Sequence, residues 1–142
     1  MSDAGEVAEP AAPVTVIVSI SSFGFKHGVP EQTEWMVDAR MVRNPFWVLE
    51  LRPHTGLDEP VRDYVLADPV AVDLIARTHD LLGWSAQRNA ERGRDVMHVA
   101  VGCTGGRHRS VAIVEALAAS LRTDGLEVTV THRDIDVPDP RW

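Results

Sequence analysis

The nine residues "GCTGGRHRS" at 102–110 gather small side chains, hydroxyls, a thiol and cations into one short stretch. The apolar run "VMHVAV" (96–101) leads into it, and Val111, Val114, Leu117 and Leu121 follow at helical spacing. A strand that passes through glycines into a helix leaves several main-chain N–H groups without partners and aims the positive helix end at the gap. Gly105 and Gly106 admit φ > 0 and let a ligand come close to the backbone. Thr104 and Ser110 add hydroxyls. Arg107, His108 and Arg109 place cationic or switchable donors where each cation costs about 0.3–1 kcal/mol. A bound anion reverses that sign, since hydrogen bonds to charged groups contribute about 1.5–3 kcal/mol each. Residues 104–110 therefore read as an anion-binding loop.

The same letters admit two other readings. Cys103 and Arg109 are spaced C-x5-R and followed by Ser110, the pattern of cysteine-dependent phosphatases. In that reading both are catalytic: a thiolate attacks phosphorus while loop amides and the guanidinium hold the equatorial oxygens. Gly102 stands where such enzymes usually carry a histidine, and only Asp38 or Asp58 offers itself as a general acid. The plainest alternative is a tight turn whose arginines face solvent or pair with Asp58, Glu59 or Asp134, with Cys103 a small buried residue at a strand end. Beside the loop, "SSFGFKHG" (21–28) could lend Ser21, Ser22, Lys26 and His27 to a second wall, or be a glycine turn with Phe23 and Phe25 plugging the core. Asp38 and Arg40 share one face of a strand, as a buried pair or as pocket lining. None of the six histidines shows metal-ligand spacing, and His79 and His98 sit in core-like patterns, so neither metal nor cofactor is expected.

The elements that must position these residues follow from periodicity. "VTVIVSI" (14–20) is apolar enough for a strand covered on both faces, and "SSFGFKHGVP" reads as the loop after it. "WMVDARMV" (35–42) is a second strand, ended by Asn44-Pro45. A helix starts at the Asp58 N-cap with Pro60 in its first turn, and Asp68-Pro69 restarts a longer one ended by Gly93. There Val72, Ile75, His79, Leu82 and Ala86 form the buried stripe. Strand 96–101, a helix from about Arg107 to Arg122 and the alternating "EVTVTHRD" complete a right-handed βαβ unit. Strands interleaved with helices predict a three-layer α/β domain over 14–135 with a mostly parallel central sheet. Tails at 1–13 and 136–142 are expected to be disordered. Ligands in such sheets gather beyond the carboxyl ends of the strands, where "GCTGGRHRS" lies.

Composition narrows the function classes. The chain of 142 residues is 44% hydrophobic and 25% charged, with a net charge of −7. All but one of its 14 basic residues are arginine, Lys26 being the lysine. An acidic balance argues against an extended nucleic-acid surface, which needs surplus cations to displace counterions. No apolar run approaches the roughly 18–20 residues of a membrane span, and "MSDAGEVAEPAAP" lacks the pattern of a signal peptide. One cysteine excludes an internal disulfide. A cytoplasmic domain is expected.

"SFGFKHG" (22–28), "NPFW" (44–47), "LRPHTGLDEPVRDYV" (51–65), "GCTGGRHRSV" (102–111) and "THRD" (131–134) together resemble the C-terminal domain of the RapZ (YvcJ-type) RNase adapter proteins. The resemblance is colinear over about 14–135. It implies a domain similar to a phosphofructokinase sugar-phosphate subdomain, one that senses glucosamine-6-phosphate and, in enterobacterial members, presents small RNAs to an endoribonuclease. It carries hexosamine-phosphate contacts onto Thr104, Gly105, His108 and Arg109. It also extends the second wall to Asn44 and Phe46, where the family's "NPHW" has a histidine. The Lys/Arg cluster of enterobacterial members is replaced here by "DIDVPDPRW", and the chain has no G-x4-G-K-[ST] segment. Three functions follow as expectations: a non-catalytic sensor of a phosphorylated small molecule that regulates a protein or RNA partner, a cysteine phosphatase, and an RNA-binding adapter. A homo-oligomer is compatible with each.

Overall fold

The computed structural model describes residues 12–138, so the expected tails fall largely outside the described residues. Strands β1 (Ile17–Gly24), β2 (Trp35–Asp38), β3 (Val96–Cys103) and β4 (Glu127–His132) form one sheet in the order β2-β3-β1-β4, every pair parallel. The helices are α1 (Glu59–Leu66), α2 (Pro69–Glu91) and α3 (Arg109–Thr123). This is an α/β domain in keeping with the three-layer expectation.

α3 lies on the face of the sheet that carries Val18, Ile20, Val99 and Val101, and buries Val111, Val114, Leu117 and Leu121 there. α1 and α2 pack against α3. On the opposite face the Phe23 and Phe25 rings close over Gly102, where a Cβ would lie 2.5 Å from one ring and 2.6 Å from the other. β1 alternates half-buried and buried positions instead of being covered throughout, and it starts later and runs four residues further than 14–20. It continues through Ser21 and Ser22 because it lies between β3 and β4 and pairs with both there, and the Ser22 hydroxyl is satisfied by His132 Nδ1 at 2.7 Å. β2 ends at Asp38, earlier than expected: the Ala39 N–H makes the last ladder bond, to the Gly102 carbonyl (2.7 Å), and the Arg40 N–H turns back to the Asp38 carboxylate (2.9 Å).

α2 starts at the expected Asp68 cap, whose carboxylate accepts from the Val70 N–H at 3.0 Å. Its buried stripe is rotated from the expected one: Ala71, Thr78, Leu82, Ser85 and Ala86 face inward, and Val72 is exposed. Of the two small polar residues inside, Ser85 is tolerated because its hydroxyl is hydrogen-bonded. Ser85 Oγ accepts from Trp35 Nε1 (2.8 Å) and meets Met97 Sδ (3.2 Å).

Strand order creates the site. The connection after β1 leaves toward β2, passing β3, while α3 carries β3 to β4, passing β1. The two central strands thus send their connections in opposite directions, and the crevice between their carboxyl ends is the usual ligand position of such sheets. Gly24 and Cys103 are in register at that edge. A Cβ on Gly24 would lie 2.4 Å from the Gly105 carbonyl carbon, and one on Gly106 (φ +81) 2.5 Å from Gly24 N. The glycines let two backbones touch. Asp134 completes the joint, its Oδ2 accepting from Gly24 N–H (2.8 Å) and Arg133 Nη2 (2.7 Å). Burial works against that carboxylate, but the Arg133 guanidinium and the Gly24 N–H hold its pKa below the usual aspartate value.

Gly24→Ala or Gly106→Ala should each lower the unfolding free energy by about 1–3 kcal/mol through overpacking, whereas Gly83→Ala, mid-helix with open space around it, should raise it by about 0.5–1 kcal/mol; urea titrations read both. The depressed pKa of Asp134 means that the unfolded chain binds the proton more readily. Stability from this carboxylate is therefore present at neutral pH and drains away as pH falls below about 4. Asp134→Asn should flatten that acid limb, measured as the urea midpoint against pH.

Candidate anion-binding site

Residues 104–108 form a run of bends between the end of β3 and the first turn of α3. Among the described residues, the main-chain N–H groups of Thr104, Gly105, Gly106, His108, Ser110 and Val111 donate to nothing. Six unpaired donors at a helix N-terminus amount to a concentrated positive potential. The Thr104 carbonyl, by contrast, is used: it accepts from the Lys26 N–H at 3.2 Å, which ties the turn after β1 to the loop.

Arg109 is buried, and its guanidinium does not extend into water. Nη1 donates to the carbonyls of Arg40 (2.9 Å) and Val42 (3.1 Å), and Nη2 to Thr104 Oγ1 (3.3 Å). His108 caps the helix in a buried position with Nε2 3.1 Å from the Arg52 carbonyl, an acceptor, so the proton sits on Nε2. Burial holds this imidazole below the usual histidine pKa, and the neighbouring Arg107 and Arg109 charges reinforce that against the Arg52 and His54 carbonyls. The Arg107 carbonyl accepts from Gly56 N–H (2.8 Å), and Gly56 lies so close to the first turn of α3 that a Cβ would be 2.4 Å from the His108 oxygen.

Thr104, Gly105, Gly106, Arg107, His108, Arg109 and Ser110 are thus brought together. Lys26 and His27 stand exposed on the 3₁₀ turn Phe25–His27 next to them. Ser22 is turned away: it is fully buried, and its hydroxyl meets His132, whose Nε2 contacts Glu115 at 2.8 Å. Asn44 caps the second 3₁₀ turn, Pro45–Trp47, by accepting from Phe46 N–H (3.1 Å). Phe46 is buried under the Arg52 guanidinium, 4.3 Å from its ring centroid, and edge-on to Trp47. Asp38 and Arg40 form the expected pair, bidentate at 2.9–3.0 Å, but on the surface; it is not a buried pair. The Arg40 side-chain contact holds Asp38 below the usual aspartate pKa. Cys103 Sγ is buried and 3.1 Å from Ser110 Oγ. Among the described residues no cluster of His, Cys, Asp and Glu could hold a metal, and no helix is long and apolar enough to cross a membrane.

Sequence reasoning passed over Arg52 and the Arg40 and Val42 carbonyls as parts of the site. The "THRD" and "LRPH" stretches were the available signals for Asp134 and Arg52; main-chain acceptors leave none.

A nucleotide-binding protein of Rhodococcus jostii (strain RHA1) is 50% identical over 122 residues, which cover 85% of this chain and 40% of that protein. One from Thermobifida fusca (strain YX) is 49% identical over 117 residues, 82% of this chain and 40% of its own. One from Sorangium cellulosum (strain So ce56) is 48% identical over 115 residues, 80% and 33% of the respective chains. The chain spans less than half the length of these curated relatives. The family described as RapZ C-terminal domain matches residues 16–136, which include the loop, its arginine and both strand ends that frame it, and the chain belongs to that family.

Proposed function

We propose that residues 104–110 hold the phosphate of a phosphorylated metabolite, an amino-sugar phosphate such as glucosamine-6-phosphate, and that occupancy regulates a protein or RNA partner in the cytoplasm. The observation that carries this reading is the set of six main-chain N–H groups without acceptors around Gly105 and Gly106. A phosphate offers them several strong acceptors at once, and the positive helix end favours its charge. His108, neutral at pH 7, offers shape and hydrogen bonding more than charge. Phe46 lies beneath Arg52, so the sugar of this ligand meets a different wall from the histidine of "NPHW".

The domain acts by binding and not by turnover. The Cys103 thiol is closed off from solvent against Ser110, which supports this over the phosphatase reading. The RNA reading draws its support from membership of the family alone.

Calorimetry with glucosamine-6-phosphate, and with inorganic phosphate as the minimal ligand, should give saturable heat at one site per chain. Absence of heat from both, with the protein folded, removes the proposal. Cys103→Ser should bind phosphate within about twofold of the wild type, because the thiol is not among the donors; no aryl-phosphate hydrolysis is expected from either protein. Turnover that Cys103→Ser abolishes would restore the enzyme reading.

A further inference from the structure

At the end of α3 opposite the anion site, a groove of about 510 Å³ opens between α2, the residues that lead into β1 and the turn from α3 to β4. Its size falls in the range of ligand sites, about 300–1,000 Å³. Val14, Val16, Ala86, Ala90 and Leu126 give it an apolar floor. Two tethers join its walls. The Val14 N–H donates to the Ala90 carbonyl (3.3 Å), and His79 Nε2 lies 2.6 Å from Asp124 Oδ2. From His79 to Ala90 the helix covers about 16 Å. Within that span Gly83 leaves space empty: a Cβ there would meet nothing within 4 Å. Glycine inside a helix is less favourable than alanine, so α2 gives up stability beside the groove.

The lining also carries one sign of charge. Asp124 and Glu127 belong to it, and among the described residues no Lys, Arg or His does. His79 engages one oxygen of Asp124, and Glu127 is exposed. The carboxyl end of α3 lies at the same wall, where the helix dipole favours a cation. We propose that this groove binds a short basic segment of a partner protein in extended form, an apolar side chain on the floor and a Lys or Arg at Asp124 and Glu127. At about 3.3 Å per extended residue, the span between the tethers takes four or five residues. Charge selects this occupant over two others. The chain's own "MSDAGEVAEPAAP" holds Asp3, Glu6 and Glu9 and no basic side chain, and a second copy brings a net charge of −7. Either would set carboxylates against carboxylates. The groove lies a whole helix away from the glycine loop, so this inference does not rest on the anion site.

An NMR titration of the isotope-labelled chain tests this, with the capped peptide acetyl-Leu-Lys-Leu-Arg-amide as the probe. The amides of Gly83, Ala90, Gly125 and Leu126 should shift saturably, while those of Gly105 and Gly106 stay in place. Acetyl-Leu-Glu-Leu-Glu-amide should bind several-fold more weakly, and salt at about 0.3 M should weaken the basic peptide several-fold. Gly83→Leu puts a side chain into the empty space and should abolish the shifts with the fold intact. Glu127→Lys should narrow or reverse the preference for the basic peptide, and it carries the test if Gly83→Leu lowers the urea midpoint. No saturable shift, or an equal response to both peptides, overturns the proposal. So does an undiminished response in a folded Gly83→Leu, or a preference that Glu127→Lys leaves unchanged. Shifts of the same amides on raising the protein concentration alone would identify a second copy as the occupant and overturn the basic segment.

Discussion

Everything at the carboxyl edge depends on one close approach, that of the Gly24 backbone to the peptide between Gly105 and Gly106. Nothing larger than hydrogen fits on either side, and the Asp134 carboxylate fastens the Gly24 N–H from the flank. The contact uses up the small size of these glycines for packing. It also fixes how the loop hangs from β3, where the N–H groups of Thr104, Gly105 and Gly106 find no acceptor among the described residues. A site whose donors are main-chain groups can be made rigid only by constraining the chain itself. Here the constraint comes from the end of β1, at Gly24, and from Asp134 just after β4.

The distribution of charge is as informative as its total. The chain is net acidic, and four arginines lie over aromatic rings: Arg40 on Phe25, Arg43 on Tyr64, Arg52 on Phe46 and Arg133 on Phe23. Stacking fixes a planar cation without neutralising it. Arg43 and Arg52 also donate to carbonyls, of Tyr64 and Phe46, which orients them further. Pairs on the outer surface, such as Arg77 with Asp73 and Arg88 with Glu91, are exposed and contribute little to stability. Two of the four stacked arginines are also neutralised, Arg40 by Asp38 and Arg133 by Asp134, so rings and carboxylates together set the orientation of these cations.

Periodicity made β3, α3 and β4 readable, because Val111, Val114, Leu117 and Leu121 face one way and "EVTVTH" alternates. The extension of β1 through Ser21 and Ser22 was not, since polarity there is paid for by His132, a residue 110 positions away. β2 stops short because, after the last ladder bond from Ala39, the Arg40 N–H turns back to the Asp38 carboxylate and the Val42 N–H to the Ala39 carbonyl. The inward stripe of α2 was displaced because Ser85 and Thr78 are hydrophilic by type, and the burial of Ser85 goes with a partner, Trp35, that only the fold supplies. At the loop, residue types announced donors well. They could not disclose that Arg109 would be occupied by two carbonyls of a distant segment.

The interior position of β1 also bears on how the chain acquires its shape. β1 is flanked by β3 and β4, so its partners lie roughly eighty and more than a hundred residues downstream. Pairings of such sequence separation close large loops before any contact rewards them, which makes folding slow relative to helical domains of equal size. Both edges of the strand can be paired only once β4, the last strand of the sheet, is available. The joint at Gly24 needs Asp134, 110 residues further along the chain, so the crevice is complete only when both ends of the domain are in place.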